Sequence, residues 1–188
     1  TIGVSEVSLQ GLEGDDIFNV PGNHPFALLT IEGGDPSASD VLNFTASATA
    51  ANLIIVDAGA ASVQEAGSTA IHYTGIEVLN VDANENAPHN AQYEGTLGDD
   101  QIAVTPTGGE AVTIRLTSST PGIGATPVVN FANVGTTMTL DGGGDPNAVF
   151  IFQMSTTFVV GSSRQVILIG GAQPNNVYWQ VGSSATVG

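Results

Sequence analysis

The chain has 188 residues, 41% of them apolar, which is enough to bury a core, and its 18 acidic residues face only two cations, Arg115 and Arg164, for a formal net charge of −16. That balance excludes nucleic acid as a partner, because phosphate binding needs a basic surface. Apolar runs such as Leu53–Val56 and Val166–Ile169 fall far short of the roughly 20 residues of a membrane span, and zero cysteines remove disulfides and thiolate metal sites.

The 24 glycines, together with Pro, Asn, Asp and Ser, punctuate short runs rich in Val, Ile, Thr and Phe. No helical apolar period is sustained over about ten residues, so the expected fold is all-β, a β-solenoid or β-helix-like repeat with a β-sandwich as alternative and little or no helix. In chain order the expected strands are Ile17–Val20, Phe26–Ile31, Val41–Phe44, Leu53–Val56, Ala70–Tyr73, Glu77–Val81 and Gln101–Val104. They continue with Ala111–Leu116, Val128–Phe131, Thr136–Leu140, Val149–Met154, Thr157–Val160, Gln165–Ile169 and Val177–Val181.

Two motifs recur. Gly11-Leu-Glu-Gly-Asp-Asp-Ile-Phe-Asn-Val-Pro returns as Gly95-Thr-Leu-Gly-Asp-Asp-Gln-Ile-Ala-Val-Thr-Pro, and Ile31-Glu-Gly-Gly-Asp-Pro36 returns as Leu140-Asp-Gly-Gly-Gly-Asp-Pro146. They suggest two degenerate β units, 1–90 and 91–188, meeting in the polar stretch 82–91. Such turns offer hard oxygen ligands, so Asp15, Asp16, Asp35, Asp40, Asp99, Asp100, Asp141 and Asp145 are the candidate calcium ligands, with Glu32 beside the first set. The competing reading is that these aspartates shape turns by side-chain to backbone hydrogen bonds.

Catalytic patterns are lacking: there is no Gly-x-Ser-x-Gly elbow and no Gly-Lys-Ser/Thr loop, and His24, His72 and His89 share no metal-ligand spacing. The chain is therefore read as a non-enzyme, with a paired-carboxylate glycosidase on a β-helix as third alternative. His72 reads as an outward strand residue. Alternation groups Trp179 with Val177 and Val181 on the core face of its strand. Asn43-Phe-Thr45 matches the glycosylation sequon.

The segments Asp145-Pro-Asn-Ala-Val-Phe-Ile-Phe-Gln and Gly170-Gly-Ala-Gln-Pro-Asn-Asn-Val-Tyr-Trp-Gln-Val-Gly-Ser-Ser-Ala-Thr-Val-Gly188 resemble the secreted microbial β-solenoid ice-binding and adhesion proteins, over about residues 136–188. The front part, with Gly75-Ile-Glu-Val-Leu-Asn-Val-Asp82 and the Gly-Asp-Asp turns, resembles repeats of long bacterial surface proteins and, in part, RTX-type calcium-binding nonapeptides. These resemblances imply an extracellular or cell-surface location. A sheet ending at Ser183–Gly188 has an unpaired edge, so self-association by strand addition is expected, with Thr1–Leu9 as donor. The leading expectation is thus a calcium-stabilised structural subunit of a surface layer or filament, and the alternative is an ice-binding or adhesive module marked by a regular plane of small polar side chains.

Overall fold

The computed structural model describes residues 3–34, 39–49, 52–87, 89–108, 111–119, 125–135, 137–154, 157–160 and 165–187. Alternation of apolar and polar residues writes the architecture directly. In Val41-Leu-Asn-Phe-Thr45, for instance, Leu42 and Phe44 are buried while Val41, Asn43 and Thr45 face out. Two sheets of eight strands face each other across such inward pairs.

Sheet A runs β1 (Glu6–Gln10), β3 (Leu28–Glu32), β7 (Ile71–Thr74), β6 (Ser62–Glu65), β5 (Leu53–Asp57), β9 (Asn90–Glu94), β13 (Thr137–Asp141), β16 (Gln165–Ile169). Sheet B, from the same end, runs β2 (Ile17–Pro21), β4 (Val41–Thr45), β8 (Val78–Asp82), β12 (Val128–Ala132), β11 (Ala111–Ser118), β10 (Asp100–Gly108), β14 (Val149–Met154), β17 (Val177–Val181). A parallel pair, β15 (Phe158–Val160) with β18 (Ala185–Val187), forms a third small sheet, and a 3-10 turn spans Pro174–Asn176.

Neighbours in both large sheets are parallel and in register except within β5-β6-β7 and β10-β11-β12, which are antiparallel. The result is a flattened β-solenoid with one meander inserted in each sheet. Every passage from sheet A to sheet B joins strands at the same position in the stack, as β1 to β2 and β9 to β10. Three return passages climb instead. β4 is second in sheet B and β5 fifth in sheet A, β8 third and β9 sixth, β12 fourth and β13 seventh. Each climbs three strands, about 14 Å at ~4.8 Å per strand.

The three crossovers run side by side over a third flank. The amide of Ala46 donates to Asp82 O (2.9 Å), that of Ala83 to Ala132 O (2.8 Å) and that of Gly135 to His89 O (2.7 Å). This geometry interleaves the two halves of the chain, since β5 pairs with β9 and β12 pairs with β8. One buried cluster, from Val20 through Ile54 and Tyr93 to Met154, fills the space between the sheets. The polar stretch 82–91 is the end of β8, the second crossover and the start of β9.

Among the described residues all the expected strands are present, Thr136 of the expected Thr136–Leu140 lying outside them, and four more join them: β1, β6, β9 and β18. At the corners the stacked loops approach so closely that a Cβ on Gly33 would lie 1.9 Å from Gly75 O. Both Gly-Asp-Asp copies occupy equivalent corners, leading from sheet A into β2 and into β10.

Candidate functional site

Most of the aspartates expected to bind calcium accept backbone amides, while Asp16 Oδ2 and Asp145 Oδ2 are buried without a hydrogen-bond partner. Asp40 Oδ1 accepts the Asp16 amide (2.8 Å), and the Asp40 amide in turn donates to Glu77 Oε2 (2.8 Å), so each rung caps the next. Asp15 Oδ1 accepts the amide of Ser39 (3.0 Å), Asp141 Oδ1 that of Gly143 (2.9 Å) and Asp145 Oδ1 that of Asn147 (2.8 Å). Asp100 is buried and takes both the amide and the hydroxyl of Thr96. Asp99 offers its main-chain carbonyl to Ser119 (3.1 Å). Asp35 lies outside the described residues. Among the described residues no three His, Asp or Glu side chains come together in a way that could hold a metal ion. The same geometry therefore joins Asp16 to Asp40 and Glu77, and leaves Asp99, Asp100, Asp141 and Asp145 in other corners.

The outer face of sheet B carries a different, regular array. Asn19, Asn43, Asn80 and Asn130 are aligned by the in-register pairing of β2, β4, β8 and β12. Their side chains form one directional chain: Thr113 Oγ1 donates to Asn130 Oδ1 (2.8 Å), Asn130 Nδ2 to Asn80 Oδ1 (3.0 Å), Asn80 Nδ2 to Asn43 Oδ1 (2.8 Å) and Asn43 Nδ2 to Asn19 Oδ1 (2.9 Å). The column continues, since Thr113 pairs with Thr105 and the pairing of Val104 with Phe152 sets Thr105 beside Gln153, whose Nε2 donates to Gln180 Oε1 (3.2 Å). A polar, uncharged column thus crosses all eight strands.

Beside it runs an apolar column, Ile17, Val41, Val78 and Val128, and beyond the meander Ala103, Ile151 and Tyr178. Arg115, paired across from Ala103, is the charge that stands in this row. Asn130, Asn80 and Asn43 each use one N–H and one lone pair on their neighbours, Asn19 uses one lone pair, and the remaining donors and acceptors are left for solvent. The face therefore presents a row of fixed donors and acceptors at the strand spacing, about 4.8 Å.

Sheet A has another character. Asp57, Glu94 and Asp141 are in register on neighbouring strands of its outer face. Partial burial raises the pKa of the Glu94 carboxyl above its usual value, as do the charges of Asp57 and Asp141, while a hydrogen bond from Gln92 opposes the shift. Charges of one sign at strand spacing hold their own hydration and repel one another.

The expected donor segment Thr1–Leu9 is placed only in part: Thr1 and Ile2 lie outside the described residues, and Glu6–Leu9 belong to β1, paired along its length with β3 of the same chain. Trp179 stacks on buried Phe152 (ring centroids 4.0 Å apart) with Phe158 beside it, on the face that alternation implies, but on the last strand of sheet B it stays 45% exposed rather than joining the core. His72 is exposed on the outer face of β7. Asn43 of the sequon is bonded on both sides within the ladder.

The ladder has a sequence signal that strand-by-strand reading passes over: Ile17-Phe-Asn-Val20, Val41-Leu-Asn-Phe44, Val78-Leu-Asn-Val81 and Val128-Val-Asn-Phe131. The asparagines lie 24, 37 and 50 residues apart, because meanders and loops of different length intervene, so no fixed period exposes them.

The chain is 47% identical over 51 residues to an ice-binding protein of Nostoc sp. (strain HG1), a stretch covering 27% of this chain and 19% of that protein. It is 42% identical over 53 residues to ice-binding protein 1 of Shewanella frigidimarina (strain NCIMB 400), covering 28% of this chain and 6% of that protein. The chain thus spans about a fifth or less of the length of these relatives. No solved structure matches it significantly. The match to the Ice-binding-like family, by contrast, runs from residue 2 to residue 188, through both sheets and the ladder-bearing strands, and the chain belongs to that family.

Proposed function

We propose that this chain is an extracellular ice-binding module that adsorbs to ice through the outer face of sheet B. The observation that carries the reading is the asparagine ladder, in which amides locked to one another from Asn130 to Asn19 face solvent at strand spacing next to an apolar column. Ice is a regular array of water oxygens, and a surface that already holds waters in a row loses little entropy on joining it. The asparagine ladder is the regular plane of small polar side chains anticipated for such a module in this reading. Sheet A is the weaker candidate, since the carboxylates Asp57, Glu94 and Asp141 impose hydration of their own. Adsorption of this kind needs neither cofactor nor catalytic group.

Thermal hysteresis and ice-recrystallisation assays test the reading with the Asn43→Ala/Asn80→Ala pair. Activity in the parent chain and its loss in the variant, with the β-sheet circular dichroism kept, is the expected result. A folded variant with full activity contradicts it.

A further inference from the structure

Beneath the crossover flank lies a buried charged group that no part of the ice-binding reading uses. Glu65 is on β6, where its pairing with Ile54 turns it inward, and its side chain is 7% exposed while that of His89 is 0% exposed. The carboxylate is held from the first crossover by the Ser47 hydroxyl (2.5 Å, to Oε1) and the Ser47 amide (2.8 Å, to Oε2). A Cβ on Gly22, in the β2–β3 connection, would stand 2.8 Å from Glu65 Oε2, so that connection also closes on the group.

From the second crossover comes His89. Its Nε2 is 3.2 Å from Glu65 Oε1 and its Nδ1 is 3.1 Å from Ala83 O. A carboxylate and a carbonyl both accept, so each ring nitrogen needs a proton of its own. A neutral imidazole satisfies one contact and turns the other into two facing lone pairs in a dry site.

We infer that His89 is carried as the imidazolium and that its buried ion pair with Glu65 is a pH-operated bolt fixing the first two crossovers onto β6. The third crossover is tied on through the Gly135 amide, which donates to His89 O (2.7 Å). Other titratable groups on these elements point elsewhere: Asp82 Oδ1 accepts from the Asn84 amide and Asn133 Nδ2, Glu85 is exposed, and His24 directs Nε2 at Thr69 O. Burial pushes the Glu65 carboxyl upward, but the Ser47 bonds and His89 outweigh this and hold it below the usual range, consistent with a charged partner.

The ring nitrogens report the state directly in nitrogen-15 NMR of the intact chain. At about pH 7, where a free imidazole is mostly neutral, both nitrogens of His89 should be protonated. A neutral tautomer there overturns the inference. Amide exchange supplies the second readout. When the pH is raised until the His89 ring spectrum shows a proton lost, the amides of Ser47 and Gly135 should exchange faster than the intrinsic pH effect accounts for, and His89→Gln should abolish that excess. Equal excess in the variant, or none in the parent, refutes the switch, and should His89→Gln not fold, the ring spectrum of the parent decides alone.

Discussion

Leu12 holds φ at 78°, the left-handed region that side chains with a Cβ enter at a cost of about 1–2 kcal/mol. It stands at the second position of the Gly-Asp-Asp motif, where nonapeptide turns carry glycine, and it is 68% exposed, so no packing compensates. Leu12→Gly should therefore raise the stability by about 0.5–1 kcal/mol in chemical denaturation, the relief of strain exceeding the entropy glycine adds to the unfolded chain. Glu94 is a second local conflict. Its folded-state pKa is raised, first by burial and then by Asp57 and Asp141, so its ionised form costs stability at neutral pH. The penalty is fully present above the folded value and fades as the pH falls toward the unfolded value near 4.3. Glu94→Gln, which keeps an acceptor for Gln92, should melt higher than the parent at pH 7, with the gap closing on acidification through that window.

At the scale of the element, the ladder makes strand position measurable. Asn80 bonds to ladder residues on both sides and Asn19 on one. Asn80→Ala should accordingly cost about 1–2 kcal/mol and Asn19→Ala about half as much, read from denaturation midpoints. The strands themselves were legible wherever alternation was strong, as in Val41–Thr45 or Val149–Met154. β9 was not, because Asn90-Ala-Gln-Tyr-Glu94 shows just Ala91 and Tyr93 as inward apolar residues inside a polar stretch that reads as a boundary. β6 hid for a related reason: one of its inward positions is Glu65, whose burial depends on His89 and Ser47, distant in sequence. The turn reading of the acidic motifs was legible at Asp15 and Asp100, whose carboxylates accept backbone amides. The outer face was not, since the register that aligns Asn19 with Asn130 depends on two antiparallel meanders that no local pattern announces.

For the whole molecule, the net charge of −16 opposes folding through self-repulsion, and added salt screens it. Because Asp15, Asp40, Asp141 and Asp145 already accept backbone amides and no three acidic or histidine side chains gather as a metal site among the described residues, the melting temperature should rise with ionic strength to the same extent in NaCl and CaCl2. A larger rise in calcium at equal ionic strength would instead place an ion at the acidic corners. The three climbing crossovers bind both halves of the chain into shared sheets, and they set the asparagine ladder on one outer face and the Asp57, Glu94 and Asp141 row on the other. The assignment of function to the first is tested most directly by partitioning into slowly growing ice, comparing the parent chain with Val41→Tyr, a bulky block in the apolar column of sheet B, and His72→Tyr, the same block on exposed sheet A. The parent and His72→Tyr are expected to concentrate in the ice while Val41→Tyr stays in the liquid. Exclusion of the parent, or entry of folded Val41→Tyr into the ice as readily as the parent, would contradict it.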